Sequence, residues 1–271
     1  MLKYCKNRYF ENGIWYSKSK VYYPDQGNDI YMSIEDESFW YKHRNDCIAI
    51  IANRFFRKDE RIFDIGGGNG FVSKRLQEEG FDPYLLEPDS IGIKNAQKRG
   101  IKNLICSSFL DAEVIEESIP NIGLFDVLEH IENDSMFLLS MVESLEKGGK
   151  IIVTVPAYSF LWSDEDNHDG HKRRYRRKKL ESKFNEAGLT TLYSSYFFSL
   201  LPIPIFLLRT IPSFFKKKRL FTKEEYLKEN KTESNLLNSI MSIIWQNEYK
   251  RFLNKKSIAF GGSIIIVAQK N

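Results

Sequence analysis

The chemistry of this chain is easiest to approach through Asp64-Ile65-Gly66-Gly67-Gly68-Asn69-Gly70. This glycine loop lies between a short apolar run, Arg61 to Ile65, and a stretch with helical spacing, Phe71 to Glu79, that stops at Gly80. A glycine loop gains meaning when it leaves a strand and opens a helix. Glycine lets the backbone turn sharply and puts no side chain between the chain and a ligand. The spacing is G-x-G-x-G, so the third glycine of the dinucleotide fingerprint, counted from Gly66, would fall on Phe71. That disfavours a pyrophosphate, and the lack of a following Lys-Ser/Thr excludes a Walker A loop. Glu87 ends the next predicted strand, about 20 residues on, where an acid can accept from both ribose hydroxyls. Asp64, at the C-terminal end of the first strand, can reach an amine directly or through water. Acids at these two places suit a cationic cofactor better than a phosphate. The competing structural reading makes Asp64 a turn cap and Glu87 a surface acid.

A second cluster is Asp126-Val127-Leu128-Glu129-His130, at the end of a predicted fourth strand from Gly123 to Leu128. Ligands of open α/β sheets bind at that edge. His130 is a candidate general base, because imidazole removes a proton from a hydroxyl or amine near neutral pH. The same residues, Asp126, Glu129 and His130, with His168 or His171, could hold magnesium, manganese or zinc. A third reading has Glu129 and His130 orient the next helix.

The most charged passage runs from Trp162-Ser163 through His171-Lys172-Arg173-Arg174-Tyr175-Arg176-Arg177-Lys178-Lys179. Trp162, His171, Arg173, Arg174 and Tyr175 are candidate substrate contacts, with His171 a second candidate base. Arginine can grip a phosphate or carboxylate in a bidentate fork. Arg176 to Lys179 reads as a solvated helix start. A polynucleotide substrate is disfavoured: no Asn/Asp-Pro-Pro-Tyr type tetrapeptide follows the fourth strand, and no RNA-binding module is recognisable.

Strands and helices must alternate to position these groups. Further strands are predicted at Tyr84–Glu87, Leu104–Cys106, Lys150–Val155, Leu189–Phe197 and Ser263–Ala268. Further helices are predicted at Asn45–Phe56, Ser90–Arg99, Asp134–Glu146 (closed by Gly148-Gly149) and Lys178–Ala187. The alternation is that of a mostly parallel α/β sheet. Residues 1–56 form an aromatic N-terminal segment, 57–197 with 261–271 the core, and 198–260 an insertion too long for a connecting loop.

Asp64 to Gly70 with Glu87 resembles motif I and the following acid of class I S-adenosylmethionine-dependent methyltransferases. The likeness continues at Gly123 to Ile131, Thr154-Val155-Pro156-Ala157, Leu161-Trp162-Ser163 and His171 to Tyr175. This set resembles small-molecule-type enzymes grouped with the ubiquinone-biosynthesis methyltransferases. It covers residues 35–195 well and Phe260 to Ser263 loosely. The resemblance implies a Rossmann-like, doubly wound, seven-stranded sheet in the order 3-2-1-4-5-7-6, with S-adenosylmethionine across the C-terminal strand ends. It implies a cofactor grip by Asp64, Gly66, Gly68, Gly70, Glu87, Pro88, Phe125 and Asp126. Phe39 to Asn45 is then expected to fold over as a lid, Trp40 excluding water and Arg44 meeting the methionine carboxylate. In ubiquinone-type O-methyltransferases and the plant small-RNA 2′-O-methyltransferase a similar acid-x-x-Glu-His holds a divalent metal. The expected reaction is methylation of a small-molecule or lipid-linked acceptor, saccharide or polyprenyl, at oxygen or nitrogen. The alternatives are an RNA methyltransferase, a catalytically silent cofactor-binding module, and an NAD-dependent oxidoreductase.

Bulk properties agree with a globular protein: 271 residues, 42% hydrophobic and 28% charged, net charge +4. Cys5, Cys47 and Cys106 form no C-x-x-C pair, which suits a reducing compartment. The first residues hold no signal-peptide apolar region, so the expectation is cytoplasmic. Tyr196 to Phe215 is very apolar and Lys216-Lys217-Lys218-Arg219 follow it. Pro202, Pro204, Pro212 and Arg209 argue against a membrane-crossing helix there. An interfacial segment at the inner face of an anionic membrane is one reading of 196–219, and a buried lid or dimer surface the other.

Overall fold

The computed structural model describes residues 4–6, 8–17, 32, 34–215 and 235–271. A twisted sheet of nine strands runs through the molecule. Its strands are β1 (Arg8–Glu11), β2 (Ile14–Ser17), β3 (Arg61–Ile65), β4 (Asp82–Glu87), β5 (Asn103–Cys106), β6 (Ile119–Phe125), β7 (Leu145–Pro156), β8 (Leu189–Phe197) and β9 (Ser263–Lys270). They lie in the order β1-β2-β5-β4-β3-β6-β7-β9-β8. The count corrects the expected seven: β1 and β2 form a hairpin through Asn12-Gly13, and β2 adds in parallel beside β5. Numbered from Arg61 onwards, the other seven lie in the order 3-2-1-4-5-7-6. The hairpin was missed because its residues, Arg-Tyr-Phe-Glu and Ile-Trp-Tyr-Ser, read as aromatic lid rather than alternating strand.

Strands β3 to β7 are mutually parallel and β9 is antiparallel to both neighbours. The interior strands are apolar on both faces, as a sheet covered by helices on two sides requires. Ile62, Phe63, Leu85, Ile122, Leu124, Ile151, Ile152, Val153, Ile265 and Ile266 are all buried. Each such side chain contributes about 1.5–3 kcal/mol over its exposed state.

The helices are α1 (Phe39–Phe55), α2 (Phe71–Glu78), α3 (Ser90–Lys98), α4 (Asp134–Ser144), α5 (Asp164–His168), α6 (Arg177–Glu186), α7 (Pro202–Ile205), α8 (Ile211–Phe214) and α9 (Asn235–Leu253). Helix α1 starts six residues before the expected Asn45, because the Ser38 side chain accepts from the backbone of Trp40 and Tyr41. Phe39 to Asn45, expected as a lid, is therefore the first part of a helix. Strand β6 ends at Phe125, and Leu128 to His130 form a 3-10 turn instead of continuing it. Gly148 and Gly149 lie within β7, not at a helix end. They sit in a register shift against β6, where a Cβ on Gly149 would come within 2.8 Å of the Glu146 carbonyl. The prolines do not break the segment after β8. Pro202 and Pro212 occupy first-turn positions, where a missing N–H is tolerated, and a π-helical turn at Phe206–Thr210 joins α7 to α8.

The N-terminal and insertion segments meet, α9 packing on α1. His43, buried, bonds the Tyr249 hydroxyl through Nδ1 and the Glu248 carboxylate through Nε2, both at 2.9 Å. Glu248 also accepts from the backbone N–H of Phe198 and Ser199. No helix among the described residues is long and apolar enough to cross a membrane. Lys216 to Arg219 lie outside the described residues.

Candidate functional site

Asp64, Glu87, Phe125 and Pro156 sit at the C-terminal ends of four parallel strands, and so at one edge of the sheet. The loop after β3 is tight. Gly66, Gly68 and Gly70 have φ of 70°, 52° and 76°, values that only glycine adopts freely. A Cβ on Gly66 would come within 2.7 Å of a Val127 methyl, and one on Gly70 within 2.8 Å of Ala96.

The loop and its acids form one hydrogen-bonded unit. The Gly68 N–H donates to Glu87 Oε2 at 2.9 Å and the Asp89 N–H to Oε1 at 2.8 Å. Asp64 Oδ2 accepts from the Ser73 hydroxyl at 2.7 Å. Burial pushes Glu87 up to about 7 against the two backbone bonds that pull it down. Burial likewise pushes Asp64 up to about 6, opposed by Ser73 and by the Arg44 charge. Both carboxyls thus favour an incoming cation or hydrogen-bond donor, since either would release their protons. Pro88 is half-buried beside Glu87, and the Phe125 ring lies against Gly123, where a Cβ would meet Cε2 at 2.4 Å.

Arg44 projects from α1 onto this edge. Its Nη1 donates to Asp126 Oδ2 at 2.8 Å and its Nε to Asn45 Oδ1 at 3.1 Å. The guanidinium lies over Trp40 and Tyr41, 5.1 and 5.2 Å from the ring centres. Trp40 in turn stacks on Phe198, 5.3 Å away at 7°. Asp126 has φ of 55°, so the backbone reverses sharply after β6.

Asp126 stays close enough for its charge to act on Glu129 and His130, but it is not among the atoms with ligand-like spacing. The ligand atoms of Glu129, His130 and His171 lie within 4.8 Å of one another, so His171, not Asp126 or His168, completes this cluster. Asp126 is held instead by Arg44. Glu129 is buried, and neither carboxylate oxygen has a hydrogen-bond partner among the described residues. Burial, and then the Asp126 charge, hold Glu129 well above the usual carboxylate range. Burial, and then the neighbouring His171, push His130 down to about 4, so its ring is neutral at pH 7. The two imidazoles meet edge to face with centres 4.8 Å apart. His171 is oriented by Asp166, whose Oδ1 lies 2.8 Å from Nδ1, leaving Nε2 for other chemistry. Another group with ligand-like spacing, His43, Cys47 and Glu248, is buried and bonded within the protein.

The remaining candidates in the basic passage are engaged elsewhere. Arg174 holds Asp166 through two bonds, at 2.7 and 3.0 Å, and reaches the Ala157 carbonyl. Arg173 bonds the Glu132 carbonyl and pairs with Asp134. Tyr175 is buried, its hydroxyl donating to Asp134 at 2.8 Å. Trp162 donates to Asn167 at 3.1 Å. Tyr175 is thus buried in the fold, whereas Trp162, Arg173 and Arg174 stay partly exposed while bonded within the protein. Asp166 itself escaped the sequence reading. Its signal was present as the Ser163-x-x-Asp166 capping box at the start of α5. Asn69 also went unnoticed; it is buried and accepts from Asn95 at 3.1 Å.

Comparison with known proteins bears on the family and the fold. A family model described as a methyltransferase domain matches residues 39–194. The ubiquinone biosynthesis O-methyltransferase of Rickettsia typhi is 25% identical over 132 residues, covering 41% of this chain and 53% of the relative. That of Rickettsia bellii is 26% identical over 134 residues, 42% of this chain and 55% of the relative. The chain thus spans about half the length of the curated relatives it matches. Among solved structures, Haemonchus contortus phosphoethanolamine N-methyltransferase 2 with S-adenosyl-L-methionine has a TM-score of 0.57 at 17% identity, covering 94% of this chain and 61% of that one. A SAM-dependent methyltransferase from Archaeoglobus fulgidus has a TM-score of 0.52 at 18% identity, covering 83% and 94%. These two show the fold.

Proposed function

The chain belongs to this methyltransferase-domain family, and on that premise we propose that it transfers a methyl group from S-adenosylmethionine to oxygen or nitrogen of a small-molecule or lipid-linked acceptor. One observation carries the reading most: the buried Glu87 carboxylate, fixed by the Gly68 and Asp89 N–H groups at the end of β4. It suits a ribose, as the buried Asp64 beside the same loop suits an ammonium group. With Gly66, Gly68, Gly70, Pro88 and Phe125, these residues fit the cofactor. Arg44 and Trp40 close the same edge from α1. Bound there, S-adenosylmethionine supplies an electrophilic methyl group on a sulfonium.

The chain's own part is positioning and proton removal. Holding two reactants in line can lower a barrier by about 7–11 kcal/mol at best. His130 faces the same edge, but burial that pushes it down to about 4 makes it a weak base for an acceptor hydroxyl or amine. His171, its Nδ1 held by Asp166 and its Nε2 left for the proton, is the stronger of the two candidate bases. We assign 57–197 with 261–271 to the cofactor-binding core, and 1–56 and 198–260 to the acceptor side.

A second reading concerns the same two histidines. Glu129, buried without a hydrogen-bond partner among the described residues and beside two imidazoles, fits a divalent cation. Its carboxylate would gain the ligand it lacks, and His130 and His171 would bind as neutral rings. A cation there would supply Lewis acidity to an acceptor oxygen.

Calorimetric titration with S-adenosylhomocysteine tests the cofactor. Micromolar binding is expected, absent with NAD and lost in Glu87→Ala. No binding by folded protein would withdraw the proposal. Binding without turnover across a broad acceptor screen would favour a catalytically silent module.

A further inference from the structure

The segment after β8 presents apolar side chains outward at the acceptor side of the site. Ile203, Leu207, Leu208, Phe214 and Phe215 are between 54% and 81% exposed. The helical run from α7 through the π-helical turn to α8 leaves Ile203, Leu207, Leu208 and Phe214 exposed along its length. The surface continues through rings in contact: Phe206 with Phe160, Phe160 with Tyr158, and Tyr158 with Phe260. Phe160 and Phe260 are themselves exposed. Isolated exposed apolar residues need no explanation, but a contiguous surface of this kind marks a contact site.

This surface is braced against the candidate site. The Asp164 N–H donates to the Ser213 hydroxyl at 3.0 Å, Arg209 pairs with Glu165, and Thr210 is buried. Asp164 and Glu165 belong to α5, whose Asp166 orients His171. Whatever receives the apolar surface therefore lies beside the acceptor's route to the histidines.

Charge selects the occupant. Phe215 is followed in the chain directly by Lys216, Lys217, Lys218 and Arg219. A basic run joined to exposed aromatic and aliphatic side chains complements an anionic bilayer, and repels a second copy carrying the same run. We propose that the face formed by Ile203, Leu207, Leu208, Phe214 and Phe215 docks the protein on an anionic lipid surface, so that an amphiphilic acceptor enters the site from the membrane. The acceptor clause rests on the methyltransferase reading; the docking does not.

The test is co-sedimentation of the full chain with phosphatidylcholine vesicles and with vesicles of phosphatidylcholine mixed with phosphatidylglycerol. At least tenfold stronger binding to the mixed vesicles is expected, falling as salt rises. Leu208→Asp/Phe214→Asp is expected to abolish it while leaving S-adenosylhomocysteine binding unchanged. Lys216→Ser/Lys217→Ser/Lys218→Ser is expected to remove the preference for anionic vesicles. No binding to either vesicle, or binding indifferent to both variants, overturns the proposal. A concentration-dependent dimer abolished by Leu208→Asp/Phe214→Asp assigns the face to a second copy and overturns it too. Failure to bind S-adenosylhomocysteine alongside normal vesicle binding would instead strike the methyltransferase reading alone.

Discussion

Arg44 and Asp126 form a 2.8 Å ion pair that ties helix α1 to the left-handed turn after β6. Both side chains are largely buried, the guanidinium lies against Trp40 and Tyr41, and Asp126 directly follows β6, the strand next to β3. The pair thus fixes the aromatic end of α1 against the glycine loop's edge of the sheet.

Removing one partner of a buried pair strands the other charge. Arg44→Met is expected to lower unfolding free energy by about 3 kcal/mol and to weaken S-adenosylhomocysteine binding at least tenfold. Urea denaturation and calorimetry measure the two effects. Equal binding by Arg44→Met and wild type would place Arg44 outside the cofactor grip.

Gly66→Ala meets two obstacles, a φ of 70° and a Val127 methyl 2.7 Å from the new Cβ. Overpacking of this kind costs about 1–3 kcal/mol. Gly66→Ala/Val127→Ala relieves the clash but not the left-handed backbone. Partial recovery of thermal stability, with cofactor binding still impaired, is the expected pattern. Full recovery of both would reduce the loop's geometry to a matter of packing.

Asp64 and Glu87 have folded values of about 6 and about 7. In the unfolded chain both titrate near about 4. The folded protein binds these protons more tightly, so their contribution to stability is present below pH 4. It is lost as pH climbs to about 7. The urea midpoint should accordingly fall over that window, and Glu87→Gln should flatten the upper part of the fall. An unchanged profile in that variant would mean that Glu87 does not titrate there.

Glu129 is the reporter for a cation. Manganese or magnesium at ten times its dissociation constant should stabilise the protein by about 1.4 kcal/mol, and Glu129→Gln should erase the gain. Once an acceptor is found, exhaustive chelation should abolish turnover and manganese should restore it. Full turnover after chelation would leave His130 and His171 as bases only.

The sequence by itself was enough for the glycine loop, its strand and helix, and Glu87. All of that information is local: apolar runs, a helix-stopping glycine and a fixed spacing between loop and acid. It also carried the strand alternation, though not the hairpin of β1 and β2 added beside β5, whose aromatic residues show no clear period. Only the tertiary structure decided how the polar side chains pair. Asp126 and Glu129 are three residues apart, yet one faces Arg44, 82 positions away, and the other faces His171. Arg173 and Tyr175 stand out in the sequence by charge and aromaticity. Their partner Asp134 is visible only once β7 and α6 bring the segments together. Spacing along a chain specifies what is near in one helix or strand, whereas contacts between elements depend on how their buried faces pack.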